Sequence, residues 1–163
     1  SVLAESMGMR VVFHDIVRKL PLGNAQPRSS LDALLAESDI VTLHVPSTPS
    51  TERMIGAPQM ARMKPGSALI NNARGSVVDE AALITALQNG TIAGAGLDVF
   101  ANEPNVPEAL WAMRNVVLTP HMASATTETR QAMADLAFAN MQAGISGQPL
   151  RTPVPEFKAL QST

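Results

Sequence analysis

LINNARGSVVDE (residues 69–80), AGAGLDVFANEP (93–104) and NVVLTPHMAS (115–124) share one shape. Each holds a short apolar run suited to a buried strand, followed by an abrupt polar turn. The first run ends at Asn71, Asn72 and Arg74, the second at Asp98 and Glu103, and the third at His121. In an open α/β sheet the ligand crevice lies outside the carboxyl ends of the strands. Three neighbouring strands would then bring a guanidinium, a carboxylate and an imidazole to one edge. That set can hold a carboxylate substrate and move a proton.

Upstream, Val2, Leu3, Ser6 and Met7 fall at helical spacing, and Gly8 is a stop signal. Met9 to Phe13 is a β-branched run that ends at His14 and Asp15. Helix, glycine, strand and acid make up the second half of a dinucleotide-binding βαβ unit. The Gly-rich turn that opens such a helix is absent, and so is the strand before it. In the strand order 3-2-1-4-5-6, strand 1 sits in the middle of the sheet. Without it, two strand edges stand unpaired. The expected fold is therefore α/β, a Rossmann-like doubly wound parallel sheet that lacks its first strand and Gly-rich turn in this chain. The chain reads as a piece of a longer polypeptide, with residues 1–150 an N-terminally incomplete nucleotide-binding domain, 151–163 a tail, and a substrate domain mostly outside it.

The remaining elements follow from local signals. Leu20 to Arg28 is a Pro/Gly loop that can end in a short edge strand. Ser29 or Ser30 can cap a helix over Leu31 to Glu37. Asp39 to Val45 reads as a buried strand, and Pro46 stops it. Gly56 to Met63 suits a short helix with Pro58 in its first turn. Ser67 to Asn71 is the next strand. A helix begins at Asp79 and stops at Gly90, with Asp79 and Glu80 favourable at its positive end. Ile92 to Val99 holds a strand whose Gly94, Ala95 and Gly96 permit close approach of a helix or cofactor. Pro104 to Trp111 is a loop with one helical turn, and Asn115 to Leu118 is the last strand. Ala125 to Met141 reads as a long amphipathic helix ending near Gly144. His14 reads as an exposed strand-end histidine and His44 as a satisfied structural one. No period of 20 to 50 residues repeats, which argues against a solenoid.

Composition narrows the function classes. With 163 residues, 45% hydrophobic and 16% charged, the chain is in the globular range. Its net charge of −2 gives no sign of a nucleic-acid partner, since such proteins carry a basic face. No apolar run approaches the roughly 20 residues needed to span a bilayer, so no membrane partner is expected. There is no cysteine, hence no thiolate chemistry, and a reducing, cytoplasmic setting fits. Aromatic residues are 3% while methionines number 9, so the core must be aliphatic with methionine as filler. Three scattered histidines without paired-ligand spacing make no zinc site, and no metal is expected. Neither a G-x-S-x-G elbow nor a Walker lysine motif occurs.

On these three motifs, in order and suitably spaced, the chain resembles the nucleotide-binding domain of the D-isomer-specific 2-hydroxyacid dehydrogenases over roughly its first 150 residues. FHDIVRKLPLGNA resembles the D-3-phosphoglycerate dehydrogenase branch. TPHMASATTETRQAMA is closer to the glyoxylate/hydroxypyruvate and ketogluconate reductase branch. The resemblance implies NAD as cofactor, a small 2-hydroxy or 2-keto acid as substrate, and a homodimer formed through this domain. It implies that Arg74 binds the substrate carboxylate and that Glu103 and His121 form the acid/base dyad. An imidazole suits that role because its ordinary pKa, about 6.5, lies near neutrality. By the same resemblance, Asp15 accepts hydrogen bonds from the adenosine ribose and disfavours the 2′-phosphate of NADP, with Arg18 and Lys19 close by. Pro46 and Thr51 run past the adenine and pyrophosphate. Asn72, Ala73, Arg74, Asp98, His121, Met122, Ala123 and Ser124 line the nicotinamide side. The phosphoglycerate branch shows glycines after its histidine where this chain has Met122, Ala123 and Ser124, a feature of the small-acid reductases. The activity expected is that of a D-3-phosphoglycerate dehydrogenase-like enzyme, with a glyoxylate/hydroxypyruvate or 2-ketogluconate reductase second. An NAD-sensing corepressor is the non-enzymatic alternative.

Overall fold

The structure, a computed structural model, describes residues 1–154. The nine residues expected to complete the tail, 155–163, lie outside the described residues. Two compact units divide the chain between Pro120 and His121.

The first unit begins with α1 (Val2–Ser6), β1 (Val12–Phe13) and β2 (Gln26–Pro27). It continues through α2 (Leu31–Glu37), β3 (Ile40–Leu43), α3 (Ala57–Met60) and β4 (Ala68–Asn71). After a 3₁₀ turn (Gly75–Val77) come α4 (Glu80–Gln88), β5 (Gly94–Leu97), α5 (Glu108–Trp111) and β6 (Val116–Leu118). All pairings between named strands are parallel, in two separate sheets ordered β1-β2 and β3-β4-β5-β6. This is a Rossmann-like α/β arrangement, divided into two parallel sheets. The apolar run from Met9 to Phe13 is longer, but only Val12 and Phe13 have a pairing partner in β2.

Register builds the core. Val41, Leu69, Ala95 and Val116 align across the four-stranded sheet, as do Leu43, Asn71, Leu97 and Leu118. The rows run on one face, where Val41, Leu43, Leu69, Asn71, Ala95 and Leu97 are all buried. Leu35, Met60, Leu83 and Leu87 belong to the same cluster. The opposite face is open, with Ile40, Ile70 and Val117 exposed. Asp39 to Val45 is thus buried on one side only, and the strand alternates. Helix starts follow the caps in the sequence. Ser30, not Ser29, accepts the Ala33 N–H at 3.1 Å, and Asp79 accepts the Ala82 N–H at 3.1 Å. Gly8 and Gly90 take positive φ just after α1 and α4 stop. Helix α3 covers only part of the stretch expected to be helical.

The second unit consists of a short N-terminal turn and α6 (Thr127–Ile145), capped by Thr126, whose side chain accepts the Thr129 N–H at 3.2 Å. Gly144 does not end this helix, because a helical glycine costs only about 1 kcal/mol. The left-handed residue comes later, at Gly147. None of the α6 side chains is buried, and Met133, Phe138, Met141 and Ile145 are exposed. The first tail residues are tied down: Arg151 and Thr152 donate their N–H groups to Asn140 Oδ1 at 2.8 and 3.2 Å.

Candidate functional site

Arg74 stands on the turn between β4 and the 3₁₀ turn. The turn is shaped by Asn71, whose Oδ1 accepts the Ala73 N–H at 3.1 Å and whose Nδ2 donates to the Arg74 carbonyl at 3.0 Å. The Arg74 side chain is exposed, and its Nη1 donates to the Ala73 carbonyl at 2.7 Å. Across from it, the segment after β3 folds on Thr51, whose hydroxyl donates to the Pro46 carbonyl at 2.7 Å and accepts the Thr48 N–H at 2.8 Å. The Ser47 and Ser76 hydroxyls hydrogen-bond at 2.9 Å and join the two turns.

Between these turns lies a cavity of about 510 Å³, lined by His44, Val45, Pro46 and Ser47 on one side and Asn72, Ala73 and Arg74 on the other. It sits at the carboxyl ends of β3 and β4, where an open α/β sheet binds ligands. Pro46, Asn72, Ala73 and Arg74 therefore come together around one cavity. Thr51 does not line the cavity; it pins the turn that does. His44 corrects the sequence reading in part. It has a structural contact, with its Nε2 3.1 Å from the Thr42 hydroxyl, but it is exposed and forms part of the cavity wall.

Asp15 follows β1 and is exposed beside a second cavity of about 330 Å³, whose lining includes Phe13, Arg18, Lys19 and Arg28. One carboxylate oxygen accepts the Val17 N–H at 2.9 Å, and the other is 4.0 Å from Lys19 Nζ. His14 is half-buried rather than exposed, with its Nδ1 3.1 Å from the Arg28 carbonyl.

Asp98 is buried at the end of β5 and joins three strand ends. Its N–H donates to the Asn71 carbonyl at 2.9 Å, and its Oδ1 accepts the Thr119 hydroxyl at 2.5 Å. Glu103 is exposed, and its Oε1 accepts the Phe100 N–H at 3.0 Å. Gly75 explains how the Arg74 and Glu103 turns meet. A Cβ built on it would fall 1.9 Å from the Phe100 carbonyl carbon, so the two backbones lie in direct contact. Gly75 serves that approach; its φ is not positive, and it is backbone, not a ligand, that comes close. Gly94 has the same use, with its Cβ position 2.9 Å from the Asn115 carbonyl oxygen, whereas a Cβ on Gly96 would make ordinary contact with Ile70.

His121, Met122, Ala123 and Ser124 open the second unit and are exposed. His121 has φ +51, a left-handed conformation uncommon outside glycine. Among the described residues, no three His, Cys, Asp or Glu side chains gather to hold a metal ion, and no helix is long and apolar enough to cross a membrane.

Sequence reasoning gave Asn71 as a strand end but missed its holding of the Arg74 turn. A signal was present, since alternation with Leu69 puts Asn71 on the buried face, where a polar side chain needs partners. Ser47 and Ser76 carried no such signal.

Residues 1–123 match the family described as D-isomer specific 2-hydroxyacid dehydrogenase, NAD binding domain. The chain is 50% identical over 135 residues to D-3-phosphoglycerate dehydrogenase of Escherichia coli K12, covering 80% of this chain and 33% of that protein. It is 46% identical over 147 residues to glyoxylate reductase of Thermococcus litoralis, covering 89% of this chain and 44% of that one. Among solved structures, it resembles an NADPH-dependent glyoxylate/hydroxypyruvate reductase of Sinorhizobium meliloti in complex with NADP and malonate. That match has a TM-score of 0.91 and 46% identity, and covers 95% of this chain and 48% of the other. The chain thus spans less than half the length of each of these relatives.

Proposed function

The chain belongs to the D-isomer specific 2-hydroxyacid dehydrogenase family, and from that premise we propose that the protein carrying it is an NAD-dependent oxidoreductase interconverting a D-2-hydroxy acid and its 2-keto acid. The observation that carries this reading is the cavity at the carboxyl ends of β3 and β4, with Arg74 in its wall on an anchored turn. A planar guanidinium binds a carboxylate through two parallel hydrogen bonds, which orients a 2-keto acid as well as holding it.

The residues present suit a dinucleotide at two places. Asp15, exposed beside its own cavity, offers a carboxylate to ribose hydroxyls. Pro46, Asn72 and Ala73 line a second cavity, and Thr51 holds its wall. Asp98, Met122, Ala123 and Ser124 complete the nicotinamide side in this proposal. When bound, the nicotinamide supplies or accepts the hydride. The protein's own part is positioning and proton transfer. Arg74 holds the substrate carboxylate, His121 protonates the carbonyl oxygen during reduction and removes that proton during oxidation, and Glu103 fixes the imidazole tautomer. The unusual backbone at His121 supports a functional role, since such conformations cluster at active sites.

We assign the substrate to the D-3-phosphoglycerate side of the family, supported by FHDIVRKLPLGNA and the identity to the Escherichia coli enzyme. Reduction of glyoxylate or hydroxypyruvate is the second reading, supported by Met122-Ala123-Ser124 and the likeness to the Sinorhizobium reductase. The ratio of kcat/KM for the two keto acids decides between them. Residues 1–150 act as the nucleotide-binding domain, and the protein works as a cytoplasmic homodimer, a state that sedimentation measures. The direct test of the mechanism is His121→Ala in the complete protein. Turnover should fall by about 10²–10⁴ while NADH binding persists. Normal turnover overturns the assignment, and a protein that binds NADH yet reduces no 2-keto acid is a sensor and not an enzyme.

A further inference from the structure

Asn71 is the last residue of β4, in register with Leu43 on one side and Leu97 on the other. It is 1% exposed. A leucine or valine would pack there as readily against its apolar neighbours. An amide in the same place is costly unless its polar atoms are bonded. Both ends of this amide reach the next turn. Oδ1 takes the Ala73 N–H at 3.1 Å, and Nδ2 gives a hydrogen to the Arg74 carbonyl at 3.0 Å. The two ends of the Ala73-Arg74 dipeptide are thereby fixed from within the core. The Ala73 carbonyl between them accepts from Arg74 Nη1 at 2.7 Å, so its direction sets where the guanidinium rests. Asn71 is itself held, because its backbone carbonyl takes the Asp98 N–H at 2.9 Å.

We infer that Asn71 is a positioning residue for Arg74: its buried amide sets the orientation in which the guanidinium meets the substrate carboxylate. The inference rests on the reading of Arg74 given under the proposed function. It accounts for a polar residue in an apolar row, and for an exposed arginine rooted in the core by a neighbour three positions away. Arg74 Nη1 rests on a backbone oxygen whose position depends on Asn71, so loss of the amide frees the guanidinium without removing it.

The test uses Asn71→Ala, Asn71→Asp, Arg74→Ala and the double variant Asn71→Ala/Arg74→Ala in the complete protein. KM for the keto acid, kcat and the NADH dissociation constant are measured separately. Asn71→Ala should raise KM about tenfold, the scale of one or two lost hydrogen bonds, and leave NADH affinity within about twofold. On the Arg74→Ala background it should add almost nothing to KM, because residues acting through one group are non-additive. A merely structural role would add in full. Asn71→Asp keeps the shape and the acceptor for Ala73 but turns an oxygen toward the Arg74 carbonyl. It should also raise KM, and it serves where the alanine variant fails to fold. If Arg74→Ala raises KM while both single Asn71 variants leave it within twofold, or if the double variant shows full additivity, the inference on Asn71 is overturned and the reading of Arg74 stands. If Arg74→Ala leaves KM unchanged, the reading of Arg74 falls and this inference with it.

Discussion

Replacing Gly75 by alanine should destabilise the protein by about 3 kcal/mol, the upper end of what core overpacking costs. A Cβ at this position would lie 1.9 Å from the Phe100 carbonyl carbon, 2.0 Å from its oxygen and 2.4 Å from the Ala101 nitrogen. Carbon atoms in favourable contact stand roughly 3.5–4.0 Å apart, so the two segments must part by roughly 1.5 Å. All three obstructing atoms are backbone, so no rotamer change relieves the overlap. The Phe100-Ala101 segment is also fixed, with Glu103 Oε1 accepting the Phe100 N–H at 3.0 Å and Glu80 Oε1 accepting the Ala101 N–H at 3.2 Å. On the other side, the Arg53 N–H donates to the Ser76 carbonyl at 2.8 Å, and the Val78 N–H to the Gly75 carbonyl at 3.2 Å. For a domain of this size, 1 kcal/mol shifts the midpoint by about 2–4 °C, so Tm should fall by roughly 6–12 °C. Thermal unfolding followed by circular dichroism measures it. Gly96→Ala is the control, because its Cβ would meet Ile70 Cγ1 at 3.7 Å, an ordinary contact. Its Tm should stay within about 3 °C of the parent. Equal losses in the two variants would refute the claim that backbone contact, and not strand glycine in general, makes Gly75 necessary.

Two further outcomes concern the scaffold. Leu69→Ala, at a fully buried position in β4, should cost about 2–5 kcal/mol, read from the urea midpoint, and a loss under 1 kcal/mol would contradict the packing described. The second is a pH dependence. A hydrogen bond from Arg28 holds the Glu37 carboxyl below its ordinary 4.5, and one from Lys64 holds that of Asp39 below 3.8. A depressed folded pKa gives stability that is fully present above the unfolded value and lost as pH falls through the folded one. Stability should therefore decline below about pH 4.5, and Arg28→Met with Lys64→Met should flatten that decline. Superimposable plots of midpoint against pH for parent and double variant would count against both pairs.

Much of the fold was legible because the signals that made it are local. Ser30 and Asp79 cap helices for reasons contained within four residues. Strand ends were marked by the change from apolar to polar at Asn71, Asp98 and Thr119, and the turn after the first of them forms one wall of the cavity. The parallel α/β pattern was legible in the alternation of strand and helix signals along the chain. Failures came where a distant partner decides. β1 is short because pairing defines a strand and only two residues find a partner. Ala125 to Met141 reads as amphipathic, yet Met133, Phe138 and Met141 are exposed, because periodicity reports only which residues share a side, never what covers it.

The same distinction separates the two residues that organise the Arg74 turn. Asn71 was recoverable in principle: strand alternation fixes its side chain inward, and an inward amide must find partners, which only the adjoining turn can supply at that depth. Gly75 was not. Its neighbour in space is the Phe100-Ala101 peptide, some 25 positions later, and nothing in NARG distinguishes a glycine needed for a close approach from one needed for its φ. The two also act differently. Asn71 works by attraction, so removing it should loosen the Arg74 turn. Gly75 works by leaving space, so filling it pushes apart the turns that carry Arg74 and Glu103 together. A loss of substrate affinity that vanishes on the Arg74→Ala background in the first, and a loss of both affinity and stability in the second, is what that difference requires.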